Sequence, residues 1–192
     1  MSTRRQDDGY QARLSLASFD VFYRTYLPVL MRFLICQARD SGWALEIAQD
    51  AMTAACDKWD DLLTFDRPDS WLFMVAIRRL RRLEARARER CWLSEDRDNA
   101  DDLQIVAAID PWVSEQRELI SALRSLPRRQ AEVIGLHFLA GHSITDTATI
   151  LHLSTWAVRM QLRRGLEALA TAKPPGRPAL TPTGGHDVDH RE

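Results

Sequence analysis

The stretch LPRRQAEVIGLHFLAGHSITDTATILHLSTWAVRMQLRRGLEAL, Leu126 to Leu169, decides how this chain is read. Pro127 suits the start of a helix that carries Ala131, Val133, Ile134, Leu136 and Phe138 and ends near Gly141. Ser143, with Asp146 three residues on, has the spacing of an N-cap whose partner acid favours the helix start. Ile144, Ala148 and Leu151 then fall on one side of a short helix. His152, Leu153 and Ser154 make a tight turn, and Ser154 can cap the helix that follows. On that helix Val158, Leu162, Gly165, Leu166 and Leu169 share one face. Trp156, Met160 and Arg163 share the other, flanked by Arg159 and Arg164. Two helices joined by so short a turn, the second presenting basic groups, describe a DNA-binding helix-turn-helix. Arginine there can pair bidentately with guanine in the major groove. Arg128 and Arg129, just after Pro127, are placed to meet backbone phosphates and set register. The competing reading is two helices of an ordinary bundle with a solvated charged face.

Upstream, Phe19, Phe22, Tyr23, Tyr26, Leu27, Leu30, Phe33 and Leu34 recur at helical steps, which predicts a helix pair with Pro28 as a kink or a fresh start. A second helix is expected from about Trp43 to Trp59. Ala44, Ile47, Ala48, Ala51, Met52 and Ala55 line one side, and Glu46, Gln49, Asp50 and Asp57 the other. A loop, Asp60 to Asp69, holds Phe65 and Pro68. Asp69 or Ser70 can then cap a long helix to Arg90, with Leu72, Val75, Ala76, Leu80 and Leu83 inward. No alternating strand pattern or Asn-Gly hairpin signal interrupts this, so the expected fold is all-α.

Net charge is only −1, but its distribution is uneven. Trp71 to Arg90 holds seven arginines against Glu84 and Glu89, whereas Cys91 to Asp110 holds six acids against Arg97. A basic block followed by an acidic one implies separate partners for separate surfaces. The acidic segment has no hydrophobic period and reads as a linker, and the Pro- and Gly-rich end after Ala172 as a disordered tail. Pro111 suits the first turn of a helix carrying Val113, Leu119, Ile120 and Leu123. Cys36, Cys56 and Cys91 are odd in number and far apart, and the five histidines are scattered, so no disulfide framework and no metal site is expected. No apolar run approaches a membrane span, and Met1 to Asp8 leads into no apolar signal segment, so a cytoplasmic chain is expected. No phosphate-cradling glycine pattern or catalytic constellation stands out, and neither an enzyme nor a bound cofactor is expected.

Taken together these pieces resemble the extracytoplasmic-function sigma factors of the sigma-70 family. ALEIAQDAM, Ala44 to Met52, is similar to the family's AEDLVQDTF, and SWLFMVAI, Ser70 to Ile77, to its WLxxIAxN stretch. Leu126 to Leu169 tracks the family's LPxxQREVLxLRxxxGxSxxEIAxxLGISxGTVxSRLxRARxxL without a gap. The resemblance implies two small helical domains: region 2 over residues 15–92 and region 4 over 111–172. A flexible N-terminus (1–14), an acidic linker (93–110) and a tail (173–192) complete the chain. It further implies docking on core RNA polymerase through Glu46, Gln49 and Asp50. Phe65, Asp66, Arg67, Trp71, Arg78, Arg79 and Arg82 would handle the minus-ten element and its melting. Ser154, Thr155, Trp156, Arg159, Met160, Arg163 and Arg164 would enter the major groove at the minus-thirty-five element, with Arg128 and Arg129 on the DNA backbone. Promoter DNA and core polymerase are the implied partners, together with an anti-sigma factor gripping both halves.

This chain departs from the pattern. Arg78 stands where the family has Asn, Arg82 where it has Asp, His152 where the turn has Gly, and Trp156 where the recognition helix has Gly. Two alternatives stay open: a stand-alone helix-turn-helix regulator whose first half dimerises, and a sigma-like decoy that binds polymerase or an anti-sigma factor without opening DNA. Polymerase docking predicts an exposed polar face at Gln49 and Asp50, a dimer seam an apolar one. Each half is expected to stand as its own module with its own nucleic-acid surface.

Overall fold

The computed structural model describes residues 3–38, 40–90 and 110–171, and every regular element among them is helical. The acidic segment apart from Asp110, Cys91 and the tail lie outside the described residues. Helix α1, Thr3–Gln37, is one helix rather than the expected pair: it starts well before residue 15 and Pro28 lies inside it, so no fresh helix starts there. A proline there costs roughly 3 kcal/mol in a helix interior. Full burial of Leu30, Phe33 and Leu34 in the next two turns offsets it.

Helix α2, Ser41–Asp57, opens on Asp40, whose carboxylate accepts from the Gly42 N–H at 2.8 Å. Its alanine-rich side is buried as the periodicity predicts, and small side chains let it lie close to its neighbours. The expected loop after it contains a single helical turn, α3, Trp59–Leu62, which buries Trp59 against Phe19 and Phe22 at ring separations of 5.2 and 4.9 Å. Helix α4 spans Pro68–Arg90 and begins at the proline, a residue suited to a first turn because its missing N–H is not needed there. Asp69 therefore lies inside α4, and its carboxylate turns to Arg67.

The second half holds α5, Pro111–Glu115, capped by Asp110 through the Trp112 N–H, and α6, Arg117–Ser125. Helix α7, Arg128–Ile134, continues into a π-helical turn, Gly135–Leu139. Helices α8, Ile144–Leu151, and α9, Thr155–Thr171, complete the fold.

Both helical halves are present, but they are packed on each other rather than standing apart. One apolar cluster runs from Phe22 to Val158 and includes side chains of both. Gly135 permits this. A Cβ at that position would lie 2.9 Å from the buried Phe33 ring and 2.8 Å from the Gln37 amide nitrogen. Around it Gln37 donates to the Ala131 carbonyl at 3.0 Å, and Arg124 donates twice to the Ile35 carbonyl, at 3.0 and 2.8 Å. Further along, Phe73 of α4 packs edge-on between Phe33, at 5.4 Å, and His142, at 4.9 Å, so a side chain of the second half plugs the first.

Candidate nucleic-acid interface

The helix-turn-helix is assembled from local hydrogen bonds that its sequence foreshadows. Asp146 N–H donates to Ser143 Oγ at 3.0 Å, and Ser143 N–H donates back to the Asp146 carboxylate at 3.2 Å, a reciprocal capping box. His152 takes the left-handed conformation, φ 54 and ψ 50, which turns the chain and lets the Leu153 N–H reach the Ala148 carbonyl at 2.9 Å. Ser154 Oγ then accepts from the Ala157 N–H at 3.1 Å and starts α9. Gly165 lets α9 press on α7, since a Cβ there would meet Ile134 Cδ1 at 2.6 Å. Ser143→Ala removes the hydroxyl that accepts from the Asp146 N–H while the backbone bond from residue 143 to the carboxylate stays, and should lower unfolding free energy by about 1 kcal/mol, read by urea denaturation.

Facing away from that seat, α9 offers solvent Trp156, 70% exposed, with Thr155, Arg159, Arg163 and Arg164, and Ser154 precedes them in the open. Met160 is half-buried, at the edge of this face. Leu166 departs from expectation: it is 42% exposed, whereas its neighbour Gly165 is the residue that meets α7. The Arg163 side chain is tethered only loosely, by Glu167 at 3.7 Å in an exposed pair worth little.

In the first half, Glu46, Gln49 and Asp50 are exposed on α2, a polar face. Phe65 is 47% exposed beside exposed Asp66, while Trp71 is half-buried and Arg82 open to solvent. Arg79 pairs with Asp50. Arg67 and Arg78 stay exposed but each also bonds a residue of the second half, and Arg128 and Arg129 of the second half turn to acids. Arg67 grips Asp69 in a fork, at 3.0 and 2.7 Å, and also reaches Asp146 at 2.7 Å. Arg78 bonds the Nε2 of His152 at 2.9 Å, so two departures from the family pattern meet each other. Arg128 pairs with Glu84 and with Glu132, and Arg129 reaches Glu132 at 3.2 Å.

Sequence reasoning singled out neither Glu132 nor Arg81. Glu132 is 1% exposed, and Arg81 of α4 forks onto it at 2.8 and 3.2 Å. Those two residues are 51 positions apart, so no short-range pattern announces the pair.

Charges at the seam follow from this packing. Burial pushes the Asp69 carboxyl up, but the Arg67 hydrogen bond and charge outweigh it and leave the group below the ordinary carboxylate range. Asp146 is also held low, first by its Ser143 hydrogen bond and further by Arg67. Burial depresses His142, and Arg67 adds to this against the opposing pull of Asp69 and Asp146. Arg67 donates toward His142 Nδ1 at 3.3 Å, which fits a neutral ring accepting there. Cys36 is driven up to about 12 by burial, so its thiol is inert.

Residues 116–169 match the family described as Sigma-70, region 4. The probable RNA polymerase sigma factor RfaY of Xanthomonas campestris pv. campestris is 31% identical over 140 residues, 66% of this chain, which spans only 33% of that protein's length. The ECF RNA polymerase sigma factor SigX of Bacillus subtilis is 27% identical over 159 residues, covering 79% of this chain and 81% of the relative. Among solved structures, the sigma factor RpoE in complex with the anti-sigma factor NepR from Bartonella quintana shares the fold at TM-score 0.60 and 20% identity, covering 79% of this chain and 94% of that one. CnrH in complex with the cytosolic domain of CnrY does so at TM-score 0.56 and 22% identity, covering 81% and 86%. The capped helix-turn-helix lies within the matched region 4, and the similarity to sigma factors extends over most of the chain. Residues 116–169 thus carry the match to sigma-70 region 4, and the chain beyond them is similar to RNA polymerase sigma factors.

Proposed function

We propose that this chain acts in the cytoplasm as a promoter-recognising subunit of RNA polymerase, supplying DNA specificity and strand opening to a catalytic core and performing no catalysis of its own. The outward basic face of α9, seated on a capped helix-turn-helix, carries this reading. Its N-terminal residues, Ser154, Thr155 and Trp156, would lie against base edges of the minus-thirty-five element, with Arg159, Arg163 and Arg164 along the groove. The exposed polar face at Glu46, Gln49 and Asp50 favours docking on a large partner over an apolar dimer seam. Phe65, Asp66 and Trp71 would hold an unstacked base of the minus-ten element, with Arg82 beside the strand. An anti-sigma factor is the expected inhibitory partner, since one protein of this fold is described in complex with such a factor.

Run-off transcription with core polymerase on genomic fragments tests the reading. New start sites that require the chain support it, and their absence with polymerase binding intact transfers the reading to a decoy. Arg163→Ala should weaken binding to the upstream duplex about tenfold, as expected for one lost arginine-to-base contact, and leave core association unchanged. Electrophoretic mobility shift and pull-down with core separate these two effects.

A further inference from the structure

Among the described residues Trp156 is the most exposed large apolar side chain, and its indole stands outside the apolar cluster. A ring of this size gains by burial, and folding of the chain leaves that gain unclaimed. It occupies the second position of α9, beside the Ser154 cap, where a recognition helix meets base edges. Its surroundings are cationic. Arg159 and Arg163 follow one and two turns further along the same face, with Arg164 adjacent, and all three are exposed. Arginines complement the phosphates and guanine edges of a duplex. The indole brings something different: a broad apolar face and a single N–H, which cannot make the two-point contacts by which guanine or adenine is read. The apolar group that the major groove displays is the C5 methyl of thymine.

We infer that Trp156 is a specificity-determining residue that reads thymine in the upstream element through its C5 methyl group, leaving guanine to the arginines beside it. This rests on the promoter-recognising function and deepens it, by assigning one base to one side chain. The charge around the indole decides its occupant: an apolar ring set among Arg159, Arg163 and Arg164 is matched to a polyanionic duplex rather than to an apolar protein surface. The arginines hold the helix in the groove, and ring and methyl then shield each other from water. Arg163 lies seven residues on, about 10 Å along the helix at 1.5 Å per residue, so the two side chains read different base pairs. Deoxyuridine pairs with adenine and keeps the O4 acceptor of thymine but lacks the methyl, so replacing one by the other isolates this contact.

Run-off transcription supplies the promoter, and a fluorescent duplex carrying its upstream element is the probe, bound by core polymerase loaded with the full chain. Each thymine of either strand in the element is replaced in turn by deoxyuridine, and binding is measured for wild type, Trp156→Ala and Trp156→Phe. Expected for wild type is a loss of about threefold to fivefold, the scale of one buried methyl, at one thymine or at two neighbours. Trp156→Ala should bind the unmodified duplex about tenfold more weakly and lose nothing further at those positions. Trp156→Phe keeps an aromatic face and should retain part of the sensitivity. Cytosine at the same position should weaken wild type, and 5-methylcytosine, which restores the methyl, should recover about threefold of the loss. The deoxyuridine scan on wild type needs no variant, so a wild type indifferent to every thymine methyl overturns the inference by itself. Methyl sensitivity that persists in Trp156→Ala overturns it, as does loss of core association by that variant, which would place the indole against the polymerase. Chain-dependent start sites together with a failed thymine scan remove this inference alone. Absence of such start sites removes the functional reading beneath it as well.

Discussion

Phe73→Ala should lower the unfolding free energy by about 3–5 kcal/mol, the largest loss expected from a single side chain here. Phe73 is fully buried in α4 and stands edge-on to Phe33 on one side and to His142 on the other. Its removal strips a ring from the point where α1, α4 and the turn before α8 meet. Collapse into the space is hindered because Phe33 is wedged against Gly135. Chemical denaturation followed by circular dichroism reads the loss, and a change below 1 kcal/mol would mean that this junction does not persist in solution. The same variant carries a second signature. His142 is held below its ordinary pKa of about 6.5 chiefly by burial, so the folded wild type binds fewer protons than the unfolded chain. Stability from this group is present above that value and lost as pH falls through it. In Phe73→Ala the ring is wetter, its pKa returns upward, and this part of the acid sensitivity shrinks. Titration of the His142 resonance by NMR in both proteins measures it.

Glu132→Ala follows in size, with an expected loss of about 2–4 kcal/mol, at or below the usual cost of breaking a buried pair because its partners keep partial access to water. Glu132 is 1% exposed and takes Arg81 from the first half and Arg128 and Arg129 from its own helix. Without the carboxylate three guanidinium groups face one another with no counter-charge at the centre. Glu132→Gln keeps the volume and one acceptor but loses the charge, and should fall between wild type and alanine. Added sulfate should restore Glu132→Ala more than it stabilises wild type, because an anion can take the vacated place between the arginines. Thermal unfolding across a sulfate series reads this. Equal response of the two proteins would mean that the arginines have found other partners or turned to solvent.

What could be read ahead of the structure was local. Ser143 and Asp146, three residues apart, state their capping box outright, and Ser154 does the same for α9. The alanine stripe of α2 points inward as its period requires, and the outward direction of Arg159, Arg163 and Arg164 follows from the same arithmetic. Pro28 misled: helix interruption is its intrinsic tendency, yet the fully buried side chains on its C-terminal flank hold α1 continuous. The caps of α4 were misread for a similar reason. Asp69 and Ser70 have cap chemistry, but Pro68 occupies the first turn and Arg67 claims the Asp69 carboxylate.

The amino-acid order by itself determined the helices, their buried sides and the basic recognition face, because each depends on neighbours within a turn or two and on a period of 3.6 residues. Only tertiary packing decided that the halves close on each other, that Arg67 and Arg78 each bond a residue of the second half, and that Arg81 forks onto Glu132. These contacts join residues 51 to 79 positions apart, or depend on a glycine whose value lies in what it leaves empty. A missing side chain has no hydrophobic period, and a lone acid in a helix looks like any other until the partner that surrounds it is in place.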